Sequence, residues 1–347
     1  MKFTYYISHH GFGHISRSLE IIRHFSEKGN ETEIVTGRTD FLEKNSLNIQ
    51  VRNLKTDTGV IQKNSLEINV EETLLELKKF RQGEDELIEK ETLSLKKFKP
   101  DAVISDSSSL PFAAAENAGI PSFFIGNFTW DYIYANYIKY NSDFSLYSAG
   151  MRNSYAKCTK AFILPFHCPT DAFRDFIHVG VVGRSPRSGR DAVRKRLGFD
   201  SKKKYYLFSF GAYGLSGPDF LFEKLDKDSE IFISGLENFQ HPKIRNIQGE
   251  YYPDLVGAAD FVVTKPGYGI LAETYLAGTP VIYTDRGDFA EYPHLVEAMK
   301  KTHASAYISQ QDLFSFKFPE KNDFHLPSEK ISGNGAEEIL QEINRIL

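Results

Sequence analysis

The chain has 347 residues, too many for one ordinary core and suited to two domains. Its 41% apolar and 25% charged residues are those of a soluble globular protein, and a net charge of −4 gives a nucleic acid no electrostatic footing. Two isolated cysteines, Cys158 and Cys168, argue against a disulfide scaffold or zinc knuckle and fit a reducing compartment. No apolar run approaches the length of a membrane span, and MKFTYYISHHG turns polar too soon for a signal peptide, so a cytoplasmic protein is expected.

In chain order, Phe3 to Ile7 reads as a strand, and Ile15, Leu19, Ile22 and Phe25 then recur at helical spacing before Gly29-Asn30 closes that helix. Thr32 to Thr36 is the next strand. Residues 71–99 carry a loose apolar stripe under a charged, solvated face. KPDAVISD gives a strand ending at Asp106, LPFAAAENAG a helix closed by Gly119, and IPSFFIGN a strand ending at Asn127. Strand, helix, strand in this order implies parallel β-α-β units. An irregular connector follows Val182, and residues 184–204 hold nine Lys/Arg against two acids, read as a linker and helix face before a lipid-headgroup patch. The alternation restarts with strands at 205–210, 230–234, 260–264 and 280–284, a helix at 270–277 closed by Gly278, and an amphipathic helix on Ala336, Ile339, Leu340, Ile343 and Leu347.

Open parallel sheets bind ligands beyond the carboxyl ends of their strands. HHGFGH (9–14) lies there: Gly11 and Gly13 permit positive φ and close approach to the backbone, and His14 sits at a helix mouth, where the dipole favours a neutral imidazole able to act as a base. A tight turn with capping histidines is the plainer alternative, and one of His9 and His10 is expected to be structural. Asp106 ends a neighbouring strand; it either orients His14 or caps the following helix. FGAYG (210–214) is a loop suited to phosphate, although no Walker-type phosphate loop occurs. In TKPGYGILAE, Lys265 meets phosphate charge, Gly267 and Gly269 open a helix suited to a diphosphate, and Glu273 one turn on suits a ribose diol, or merely caps a loop. Arg286, Asp288 and Glu291 follow the next strand as a group suited to sugar hydroxyls. The aromatic run Trp130, Tyr132, Tyr134, Tyr137 and Tyr140 is divided between an acceptor surface and core.

HGFGH after the first strand, RKRLG before the second half, FSFGAYG, and GYGILAETYLAGTPVIY with its acidic sequel together resemble the GT-B glycosyltransferases over essentially the whole chain. ISHHGFGH, NFTWDYIYANY (127–137) and the R-x-D-F-x-E stretch are similar to the glycosyltransferase-like N-terminal region of L-arabinokinases. The resemblance implies an α/β fold of two Rossmann-like domains facing across a cleft: 1–183 for the acceptor, 184–332 for the nucleotide-sugar donor, with the helix 333–347 packing back on the first. It also implies an inverting, metal-independent transferase with no cofactor, taking a UDP-sugar donor and an unknown hydroxyl acceptor (small molecule, glycan or lipid-linked), with at most peripheral membrane contact. Under that resemblance Glu273 holds the ribose, Gly211, Ala212 and the Gly267-Tyr268-Gly269 loop hold the diphosphate, and Tyr251 and Tyr252 hold the base. Asp288 and Glu291 contact the donor sugar, beside Arg286. His14 is the general base with Asp106 behind it, and His10, Gly11, Gly13, Asn127 and Trp130 flank the acceptor. Lys265-Pro266 departs from the small residues of many relatives.

Two other functions fit the same fold. A non-catalytic nucleotide-sugar binding module would keep the Glu273 loop without needing His14 or Asp106. A nucleotide-sugar epimerase or hydrolase would use extra histidines such as His9 and His10.

Overall fold

The computed structural model describes residues 1–39, 49–62, 67–210, 221–235 and 242–347. The chain forms two compact units, one of Met1–Gln62, Ile68–Val182 and Ser332–Leu347, the other built on Gly183–Ile331. Each is a fully parallel sheet with helices.

In the first unit, β1 (Lys2–Ile7), β2 (Glu31–Thr36), β3 (Gln50–Asn53), β4 (Ala102–Asp106), β5 (Ser122–Gly126), β6 (Lys160–Ile163) and β7 (Phe176–His178) lie in the order β3-β2-β1-β4-β5-β6-β7. β1 and β4 are neighbours in register, Ile7 opposite Asp106. Strand order reverses between them, since the chain builds outward from β1 to β3 and then returns to β1's other side with β4. That is the switch point at which doubly wound sheets leave a crevice. The connections are α1 (Phe12–Glu27), α2 (Val70–Phe98), α3 (Leu110–Ala118), α4 (Trp130–Ala135) and α5 (Phe144–Tyr155).

The second unit has β8 (Lys204–Ser209), β9 (Ser229–Ser234), β10 (Ile244–Ile247), β11 (Phe261–Thr264), β12 (Val281–Tyr283) and β13 (Ser305–Tyr307) in the order β10-β9-β8-β11-β12-β13. Its switch point is between β8 and β11. Its helices are α6 (Arg190–Leu197), α7 (Tyr252–Ala258), α8 (Tyr268–Ala277), α9 (Tyr292–Thr302) and α10 (Gln310–Phe314).

The last helix, α11 (Gly335–Ile346), belongs to the first unit. Its stripe of Ile339, Leu340 and Ile343 joins the core of β1 and α1, with Phe3, Ile15, Leu19 and Ile22. Burying each such side chain contributes roughly 1.5–3 kcal/mol. Polar contacts fix the docking: Glu337 Oε2 lies 2.7 Å from His24 Nε2, Glu342 Oε1 2.9 Å from Lys160 Nζ, and Gly180 N donates to Glu338 Oε2. The chain returns through a passage with no room for side chains: a Cβ on Gly335 would sit 2.2 Å from the carbonyl oxygen of Gly180. Among the described residues, no helix is long and apolar enough to cross a membrane.

Candidate active site

At the first switch point, α1 starts at Phe12 on Gly11, which takes φ 80° and turns the chain from strand to helix. Only Gly11 needs that freedom. Gly13 is already helical, and a Cβ there would meet nothing within 4 Å, so the expectation of positive φ at both glycines is corrected to one.

His14, Arg17 and Ser18 fall three and four residues apart on one face of α1, and that face meets the end of β4. His14 Nδ1 is 2.7 Å from Asp106 Oδ1. Arg17 grips the same carboxylate twice, Nε to Oδ2 at 2.7 Å and Nη2 to Oδ1 at 2.6 Å, and Ser18 Oγ donates to Oδ2 at 2.8 Å. Asp106 is 0% exposed. Burial pushes its carboxyl up, but the guanidinium of Arg17 and the imidazole of His14 outweigh that and hold it well below the usual carboxylate range. The capping reading of Asp106 therefore falls: both oxygens serve α1, and α3 begins on Ser109 without a side-chain cap. Ser107, next in the chain, takes a left-handed φ of 65° and hydrogen-bonds Tyr155 Oη and Arg17 through its carbonyl and hydroxyl, so strained backbone lies directly beside the carboxylate.

Asn127 and Trp130 are supports rather than a surface. Asn127 accepts from Arg17 Nη1 and donates to Pro165 O, and Trp130 is 1% exposed with Nε1 donating to Asp57 Oδ2 at 3.2 Å. Their expected place as acceptor contacts is corrected on that ground, because their polar groups are committed within the chain. Tyr134 and Tyr137 are likewise core, whereas Tyr140 is exposed. The histidines ahead of α1 rest on this floor. The His10 ring is 5.2 Å from Trp130 and 6.4 Å from His14, and its Nδ1 accepts from Val60 N. His9 Nδ1 lies 3.1 Å from buried Asp57 Oδ1, a second His–Asp pair that sequence reading did not find.

At the second switch point, Thr264 ends β11, Gly267 is the extended N-cap of α8 and Tyr268 opens the helix, with Gly269 next in its first turn. Glu273, one turn further, is 6% exposed and pairs with Arg184: Nε at 2.7 Å and Nη2 at 2.5 Å, both on Oε1. Burial pushes the Glu273 carboxyl up, and Arg184 opposes this in part. Arg184 lies far away in sequence and was not anticipated. Burial and the neighbouring Arg286 bring the Lys265 ammonium down to about 8, with Glu291 acting the other way. Arg286 is 3.1 Å from Glu291, stacks 4.2 Å over Phe289 and donates to Pro266 O, whereas Asp288 is exposed. Tyr252 Oη bonds Ser209 Oγ at 2.6 Å, and burial pushes its hydroxyl well up. Tyr251 lies 4.0 Å under the Arg187 guanidinium, and Asp254 Oδ1 fixes that connector by accepting from Arg187 N and Ser188 N. Gly211 and Ala212 lie outside the described residues.

Residues 1–185 match the model of glycosyl transferase family 1. The chain belongs to that family. It is also 31% identical over 326 residues to an L-arabinokinase of Arabidopsis thaliana, an alignment covering 90% of this chain and 31% of the relative, so the chain spans about a third of that protein. Among solved structures, it is similar to the glycotransferase of kitacinnamycin (TM-score 0.66, 15% identity, 100% of this chain and 99% of that one). Arabidopsis thaliana UGT89C1 is similar at TM-score 0.66 and 14% identity over 99% and 98% of the two chains, and Acinetobacter baumannii MurG at 0.62 and 13% over 99% of each. The protein is a glycosyltransferase of GT-B fold, with two Rossmann-like units.

Proposed function

We propose that this glycosyltransferase is an inverting, metal-independent enzyme that moves a sugar from a UDP-sugar to a hydroxyl of an acceptor. The observation that carries the reading is the buried His14–Asp106 pair, 2.7 Å apart at the switch point of the first sheet. An ionised Asp106 accepts a hydrogen bond from Nδ1–H, leaving Nε2 to take a proton from an acceptor hydroxyl as its oxygen attacks the anomeric carbon. Attack from the face opposite the leaving diphosphate inverts that centre. In the second unit, the start of α8 and Lys265 supply positive potential for the diphosphate, and Glu273 accepts from the ribose. Asp288 and the Arg286–Glu291 pair hold the donor sugar, and Tyr251 and Tyr252 hold the base. The choice of uridine is supported by a Siraitia grosvenorii transferase of this fold, which was solved in complex with UDP. His10 and the Gly11–Gly13 turn, beside His14, border the acceptor. A reducing, cytoplasmic setting belongs to the same proposal, supported by Cys158 and Cys168 both being buried thiols.

A pure binding module would have no use for a carboxylate held by Arg17 and Ser18 behind a histidine. The His9–Asp57 pair is the feature an epimerase or hydrolase reading would draw on. Product analysis separates these readings. The enzyme is incubated in EDTA with UDP-glucose, UDP-arabinose or UDP-GlcNAc and a mixture of polyols and phenols, and products are read by mass spectrometry. Glycoside formation that is lost in His14→Ala, with UDP binding intact, is expected. Release of free sugar or an epimerised donor, with no glycoside, would overturn the transferase mechanism.

A further inference from the structure

The 2.7 Å separation of His14 Nδ1 and Asp106 Oδ1 requires a proton between them. Two arrangements supply one. If Asp106 is ionised, Nδ1–H donates and Nε2 is the basic nitrogen. If Asp106 is protonated, its hydroxyl donates to Nδ1, the ring carries its own proton on Nε2, and His14 cannot accept a proton there. The charge state of Asp106 thus selects the tautomer.

Desolvation of a fully buried carboxyl favours the second arrangement. Arg17 opposes it. Its guanidinium is itself 6% exposed, makes the two-point contact at 2.7 and 2.6 Å, and is held in plane by Asn127 and by Ser107 Oγ at 3.3 Å. Arg17 Nη2 also lies 3.0 Å from His14 Nδ1, so the same cation touches both members of the pair. The titratable or charged groups facing Asp106 are His14 and Arg17 on α1 and Tyr5 on β1; Arg17 is the one that is always charged.

We infer that Arg17 is a positioning residue that sets the tautomer of His14: by keeping Asp106 a carboxylate, it makes Nδ1 the donor and Nε2 the proton acceptor. The inference rests on the reading of His14 as the base, but its test needs no donor or acceptor. Two-bond ¹H–¹⁵N correlation spectra of the ¹⁵N-labelled full chain at pH 8 distinguish the tautomers, with the His14 signals identified by their loss in His14→Gln. The expected result is a single Nδ1–H pattern in the wild type, kept in Arg17→Lys and replaced by an Nε2–H or mixed pattern in Arg17→Gln. An Nε2–H wild type, or a folded Arg17→Gln with the wild-type pattern, overturns the inference. Should Arg17→Gln fail to fold, the ¹³Cγ shift of Asp106 in the wild type decides. A carboxylate shift persisting at pH 5 supports the role of Arg17, and a carboxylic-acid shift at that pH refutes it. Transfer activity failing for lack of the right donor leaves both spectra interpretable.

Discussion

Lys265 offers a quantitative test of where the diphosphate goes. Its ammonium, lowered from 10.5 to about 8 by burial and by Arg286, is half neutral at pH 8 in the free protein and about one-tenth neutral at pH 7. A diphosphate at the start of α8 favours the charged form, so binding draws a proton from solution: about 0.5 per site at pH 8 and about 0.1 at pH 7. Affinity therefore falls as pH rises, by about tenfold between pH 7 and pH 9, the ratio of the free protein's protonated fractions. Isothermal calorimetry of UDP in phosphate and in Tris at pH 8 reads the uptake from the difference in apparent enthalpy. Lys265→Met should remove it and flatten the pH dependence over this range. Wild-type binding with no proton uptake at pH 8, or the same uptake in Lys265→Met, would refute the placement of the diphosphate beside Lys265.

The first unit offers further tests through Trp130, the only tryptophan in the sequence, whose fluorescence reports that unit alone. Asp106→Asn leaves the buried Arg17 guanidinium without its counter-charge and should lower stability by about 3–5 kcal/mol, read as a lower denaturant midpoint; an unchanged midpoint would contradict the buried ion pair. Two glycine-to-alanine changes should act in opposite directions. Gly335→Ala puts a Cβ 2.2 Å from Gly180 O and should destabilise by about 1–3 kcal/mol as α11 is pushed off its seat. Gly83→Ala, on the exposed face of α2 with nothing within 4 Å, should stabilise by about 0.5–1 kcal/mol.

The strands at the two switch points were legible because each is a largely apolar run that gives way to polar or glycine residues, and two parallel neighbours bring their ends together. Hence Asp106 could be placed near His14 although 92 residues separate them. The final helix was legible from Ile339 and Ile343 on one stripe. Five strands were not: β3, β6, β7, β10 and β13 are three or four residues long, too short to show a period, and QVRN and IRNI carry charge as well. Arg17 was hidden for another reason. An arginine among helix polar residues reads as solvated, and only the carboxylate arriving from β4 reveals a buried charge. Arg184 and Asp57 find Glu273 and His9 across long stretches of chain, where local spacing carries no signal. The aromatic run around Trp130 misled in the opposite direction, since its residue types suit a sugar-stacking surface and a core equally.

The measurement that bears most directly on the central claim is calorimetry of UDP with the wild-type protein and Glu273→Gln, both in EDTA. Metal-free binding to the wild type, weakened about tenfold or more in Glu273→Gln as a charge-assisted hydrogen bond to the ribose is lost, is the expected result. No binding of UDP, or equal binding by the two proteins, would contradict the assignment of the α8 loop as the nucleotide-sugar site.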